Sequence, residues 1–243
     1  MAELSSRRGF FLCWLCDTQS VTCPVLDAPG WEVAVGSDMM RTDGSAALTL
    51  GDRTLTQVTD DVRRYCGLEW SGGPPETWAY RYFDIIETNV GRVEPTDVVA
   101  ASALHPGISR EDLSWFHDNS PSLDRWINKI PADIPLDEVD VEHVKSLSEI
   151  EVPSLTLLSK VLHRKRPAAV PMVDRHILDL YRPITGERRA KFAWPALVEA
   201  MRNDLVANRL ALDTMIKGLE DEIDRNLTAL RICDIAIWME ATR

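Results

Sequence analysis

The sequence predicts an all-α protein, and three observations carry that prediction. Apolar residues recur at intervals of three and four through most of the chain after Leu55, the spacing of one helix face. Helix-starting and helix-stopping residues bracket those runs. Glycine is scarce, at twelve in 243 residues, and no β-hairpin signature, repeat or low-complexity tract interrupts the pattern. With 45 % apolar residues the chain is long enough to bury a full core.

Residues 1–50 read as an irregular N-terminal extension and 51–243 as the helical domain. The extension holds Cys13, Cys16 and Cys23 in the spacing C-x2-C-x6-C. Thiolates that close together are able to share an ion, but a fourth ligand is missing nearby and only the distant Cys66 or Cys233 would complete the set. They read as buried or incidental thiols, with a thiolate metal site as the alternative; no metal and no cofactor is expected. Five cysteines is an odd number, consistent with a reduced, cytoplasmic chain. The run RRGFFLCWLC has two arginines before a short apolar stretch, yet no small-residue cleavage site follows and the stretch is too short to span a bilayer, so no membrane partner is expected.

The first helix is expected from Leu55 onward, with Leu55, Val58, Val62 and Tyr65 or Cys66 on one face and Gly67 as its stop. SGGPPET reads as a loop, and TWAYRYFDIIETNV as an aromatic segment, helix or strand. EPTDVVAASALHPG begins at Pro95 or Thr96 and ends at Pro106-Gly107. SREDLSWFHD opens on Ser109 as a cap, and SPSLDRWINKI opens on Ser120-Pro121 as a separate helix. The C-terminal third continues with WPALVEAMRNDLVANRLALDTMIKGLEDEID and with LTALRICDIAIWMEA, whose Leu227, Leu230, Ile232, Ile235 and Trp238 are candidate core residues.

Charge is unevenly distributed in this chain of net charge −11. Such a total opposes indiscriminate nucleic-acid binding, because a polyanion is repelled wherever the local sign is not reversed. Between Lys160 and Lys191 nine Lys or Arg face three acids, whereas between Asp133 and Glu151 seven acids face Lys145 alone. Two readings stay open: the basic stretch contacts phosphates, or it pairs internally with the acidic stretch upstream.

Within the basic region, IEVPSLTLLSKVL reads as a helix end, a turn at Val152-Pro153-Ser154 and a second helix with Leu155, Leu158, Val161 and Leu162 on its apolar face. This hairpin, near 147–164, is followed by the loop HRKRPAAVP and by MVDRHILDLYR, a third helix with Asp174 at or near its first turn. The order of these pieces resembles the helix-hairpin-helix DNA glycosylase superfamily, the endonuclease III-like proteins. Their pattern places a V-D-T-H-[VI] segment eleven residues after the second hairpin helix. Here His163 to Val173 makes that interval and Val173-Asp174-Arg175-His176-Ile177 stands for the segment, with Arg175 at the threonine position.

The resemblance implies a two-lobed all-α fold, DNA as partner, and Asp174 as the catalytic carboxylate of a monofunctional N-glycosylase. A fixed negative charge stabilises the oxocarbenium-like sugar left when a base departs. Lys160, Arg164, Lys165, Arg166 and Arg175 are then the DNA-binding residues, holding phosphates against the charge of Asp174. Departures from the pattern bear on activity. Val152-Pro153-Ser154 replaces the Gly-Val-Gly of the hairpin, removing the close approach of backbone amides to a phosphate. The lysine of strand-cleaving members falls on Thr156, which removes the lyase route. The four-cysteine iron–sulfur loop of some members is absent. The stretch VLHRKRPAAVPMVDRHI also resembles a group of uncharacterised bacterial proteins with a K-R-P-x-x-x-P-x-x-D core, from which no function carries over. Beside the site reading stand plainer ones: Asp174 as a helix cap, His176 as a packing residue, Pro167 and Pro171 as loop stiffeners, and the same fold as a non-catalytic module for a protein or a nucleic-acid end.

Overall fold

The computed structural model describes residues 47–68, 79–105, 107–223 and 227–243. Cys13, Cys16 and Cys23, the RRGFFLCWLC run, most of the irregular extension and the SGGPPET loop lie outside the described residues. The described region is mainly all-α, with one small two-stranded sheet.

That sheet was not expected. Strands β1 (Leu48–Leu50) and β2 (Arg53–Leu55) pair antiparallel, Leu48 against Leu55 and Leu50 against Arg53. The segment LTLGDRTL alternates leucine inward and threonine outward, the period of a half-buried strand, and Gly51 takes the positive φ of 61° that its turn requires. Leu48, Leu50 and Leu55 join the core, so the hairpin straddles the boundary placed at residue 50.

Helix α1 (Val58–Cys66) ends on Gly67 in the left-handed conformation, as its sequence signals. A single π-helical turn, Tyr80–Asp84, opens the aromatic segment, and no regular element covers 85–94. Helix α2 (Pro95–Ala101) starts with a capping box between Glu94 and Asp97 and continues as a 3-10 turn, Ser102–Leu104. Helix α3 (Arg110–Ile127) is capped by Ser109 and runs through Pro121, where the sequence suggested a break. Proline removes the N–H that would bond His117, and the Ser120 hydroxyl donates to that carbonyl instead, at 3.3 Å. The helix therefore continues.

A short helix α4 (Val141–Lys145) and a 3-10 turn, Ser146–Glu149, form the first arm of the expected hairpin. Its second arm is α5 (Leu155–Lys165), capped by Ser154. It is followed by α6 (Arg175–Thr185), capped by Asp174 and closed by Gly186 at φ 67°. The long C-terminal run divides at Asn208 into α7 (Ala190–Ala207) and α8 (Arg209–Leu219). The last helix, α9 (Ala229–Thr242), buries Leu230, Ile232 and Ile235 with Leu227 just ahead of it, while Trp238 is half-buried.

α6 packs on α7, α1 on α9, and α2 on α5. Asn208, at the α7–α8 break, accepts from the Thr49 amide at 2.9 Å and donates to the Thr49 carbonyl at 2.7 Å, standing in for a missing third strand. Helix α5 lies at the centre, and from Leu157 to Lys165 every residue is buried, the charged ones included. Among the described residues no helix is long and apolar enough to cross a membrane.

Candidate functional site

Four of the five cations proposed to touch DNA lie inside the protein. Lys160, Arg164, Lys165 and Arg166 are 3 %, 5 %, 0 % and 4 % exposed. An ion held in the interior is tolerable only when its donors are used, and here they are. Arg164 donates to the carbonyls of Phe83 and Ile86 and to Asp97. Lys165 donates to the Thr88 hydroxyl at 2.6 Å and the Asn89 carbonyl at 2.9 Å, and pairs with Asp97. Arg166 reaches the carbonyls of Ile130 and Val90, and Lys160 that of Leu104.

Most of these bonds have a common purpose. The stretch from Phe83 to Val90 is largely irregular, so its carbonyls have no helix or strand partners, and buried carbonyls must be satisfied somehow. The RKR segment at the end of α5 satisfies them from some eighty residues away. Asp97 supplies the compensating charge; it is 1 % exposed and also accepts from the Thr88 hydroxyl at 2.6 Å and the Glu94 amide at 2.8 Å. Lys160, Arg164, Lys165 and Arg166, expected on a DNA surface, thus lie inside the protein and are bonded to it.

The acidic stretch reaches these four cations only through the charge of Asp133 on Arg166. Asp137 and Glu138 pair with Arg209, and Lys145 with Glu142 and Glu199. One pairing links the two stretches directly, Lys191 with Glu151 at 2.7 Å.

Asp174 is half-buried at the start of α6. Its position is set from α5, where the Ser159 hydroxyl accepts the Val173 amide at 3.1 Å. Its Oδ1 accepts the amides of His176 at 2.8 Å and Ile177 at 3.0 Å, the N-cap arrangement. Oδ2 makes no hydrogen bond among the described residues. Lys160 lies within electrostatic reach; burial lowers its pKa, and the charges of Asp174 and Asp234 partly oppose that. Arg175, the fifth expected DNA contact, is exposed beside the cap, and His176 is half-buried.

A second buried network was missed in the sequence. Arg231 donates to both oxygens of Asp84 at 2.8 Å and also to Asp234 and the Tyr65 hydroxyl, which in turn donates to Asp84 at 2.9 Å. The Arg231 guanidinium lies 5.1 Å from the ring centres of both Tyr65 and Phe83. Burial raises the pKa of Asp234 to about 6, against the pull of Arg231 and with the repulsion of Asp174. Burial likewise pushes the Tyr65 hydroxyl upward. The signal was present: Arg231 and Asp234 sit three apart among the apolar residues 229–239, and an ion on a buried face needs a partner.

The two networks meet at a cavity of about 50 Å³ lined by Phe83, Asp84, His163, Arg164 and Arg231. Each guanidinium nitrogen of Arg164 and of Arg231 already donates to a protein oxygen, so these arginines serve the fold and offer no open anion site. A larger cavity, about 130 Å³, lies between α8 and α9 beside Arg209 and Asp213. Asp174 lines neither. Among the described residues no cluster of His, Cys, Asp or Glu has the form of a metal site.

A family model covers residues 58–241, from the start of α1 to the end of α9. The chain belongs to DUF6308, a family of unknown function. No curated protein and no solved structure matches it. The family match spans both buried networks and Asp174, and it assigns a role to none of them.

Proposed function

We propose that this protein is a non-catalytic binding module on an all-α scaffold. The observation that supports this reading is the internal use of Lys160, Arg164, Lys165 and Arg166, which takes the four cations that precede Asp174 in the chain away from any substrate's phosphates. Asp174 has a sufficient structural task as the cap of α6. The altered hairpin turn, Val152-Pro153-Ser154, points the same way, since Pro153 has no amide to offer a phosphate.

A second reading, a monofunctional DNA N-glycosylase of two-lobed helix-hairpin-helix form, is favoured by one feature. Asp174 is anchored through Oδ1 alone, and its other oxygen is not engaged by the described residues. A carboxylate fixed in that manner is suited to stabilising a cationic sugar or orienting a water.

One experiment separates the two. Duplexes carrying uracil, alkylated or oxidised bases are incubated with the full chain and with Asp174→Asn. Asparagine caps helices about as well as aspartate, so the variant keeps its fold and loses only the charge. The binding-module reading expects no base release by either protein. Release by the natural protein, lost in Asp174→Asn, would overturn it and establish the glycosylase.

A further inference from the structure

With the cations of α5 inside, the exposed ones gather on α6 and the turn into α7. Arg175, Arg182, Arg188 and Arg189 are exposed and Lys191 is half-exposed, against two acids in the same stretch, Asp179 and Glu187. Arg175 and Arg182 are two turns apart, hence on one face of α6 and about 10 Å from each other. Gly186, at positive φ, reverses the chain and brings in Arg188 and Arg189 at the head of α7. Arg175 and Arg188 have no ion pair among the described residues. Arg175 also sits in the first turn of α6, where the helix dipole disfavours a cation, so helix stability does not account for it.

The same corner carries a largely exposed aromatic ring. Phe192 is 60 % exposed, and the guanidinium of Arg189, itself 73 % exposed, lies 4.3 Å from its ring centre. Ile184, in the last turn of α6, is 52 % exposed. Phenylalanine in water contributes nothing to a core, and with the guanidinium on one face the ring still has most of its surface free for a second flat group.

We propose that this α6–α7 corner is a contact surface for single-stranded nucleic acid, with Arg182, Arg188 and Arg189 on phosphates and Phe192 stacked on a base. The proposal rests on the binding-module reading and names its partner. Guanidinium groups suit phosphates, which they meet through two parallel bonds. An acidic peptide would satisfy the same cations but has no flat ring to cover Phe192. A duplex presents phosphates, yet its base faces are stacked inside, whereas a single strand offers both at once.

The test uses the full chain and a fluorescently labelled mixed-sequence DNA strand, with anisotropy followed between about 50 and 200 mM salt. With three phosphates engaged, the logarithm of affinity should fall against that of salt with a slope of about −2. Arg188→Ala with Arg189→Ala should flatten that slope by about 1.4, at about 0.7 per phosphate lost. Phe192→Ala should weaken binding about 5- to 150-fold with the slope unchanged, and Phe192→Tyr should restore it. Absence of strand binding by the natural protein would overturn the proposal, as would equal affinity for the matching duplex or for polyglutamate, or Phe192→Ala binding like wild type. These outcomes leave the excision experiment untouched, so failure here and failure of the binding-module reading are told apart.

Discussion

Two stretches of one basic region, Lys160–Arg166 and Arg175–Lys191, have similar composition and opposite fates. In the first, each cation is buried and bonded to carbonyls or to Asp97; in the second, most cations face water with weak partners or none. The difference lies in what surrounds each helix. α5 is enclosed on all sides and runs beside an irregular segment whose carbonyls need donors, whereas α6 buries only Ile177, Leu180 and Tyr181 and leaves its other face open. A cluster of arginines is thus no guide to phosphate binding until the unmet hydrogen-bond needs of the interior are known. Long cationic side chains can supply donors wherever the backbone has departed from regular structure.

The comparison is tested most severely at its buried end. Asp97→Ala should remove the counter-charge of Lys165 and Arg164 and cost about 3–5 kcal/mol of stability, as breaking a buried pair does. Urea denaturation measures this; a loss below about 1 kcal/mol would mean that the 160–166 cations are solvated after all. A smaller and pH-dependent effect belongs to Asp234. Its folded pKa of about 6 lies above the unfolded value of 3.8, so the protonated acid favours the folded state. That contribution is complete below pH 3.8 and disappears as pH rises through about 6. Burial sets it, and the charges of Arg231, Asp174, Lys160 and Asp84 modify it. Relative to Asp234→Asn, the natural protein should gain stability on going from pH 7 to pH 5, and parallel curves for the two proteins would refute the assignment. The smallest effect is at the exposed end: Arg175→Ala and Arg188→Ala should each change stability by no more than about 0.5 kcal/mol. A large loss at either would place the second stretch with the first.

Much of the helical framework was legible because its signals are local. Ser109, Ser154 and Asp174 cap the helices their sequence announces, and Gly67 and Gly186 close two of them in the left-handed conformation. Pro121 was misleading because a neighbouring hydroxyl repaired the bond it removed. The β1–β2 hairpin went unseen because three-residue strands carry too little periodicity to stand out, and its stability comes from Asn208 and Asp204, more than 150 residues away. For the candidate site, Asp174 was found at the right helix end, while Asp84, Asp97 and Arg231 were not, since each gains its meaning from a partner distant in sequence.

The sequence by itself determined several helix ends, at Gly67, Ser109 and Asp174, that the described chain folds mainly as α, and that positive charge concentrates between residues 160 and 191. Caps, apolar spacing and composition act over one or two turns, and the chain carries them wherever it goes. Only the tertiary structure decided which of those charges meet water. That choice depends on whether an enclosed carbonyl or carboxylate waits at the end of each side chain, and such a partner is brought there by folding from far along the chain.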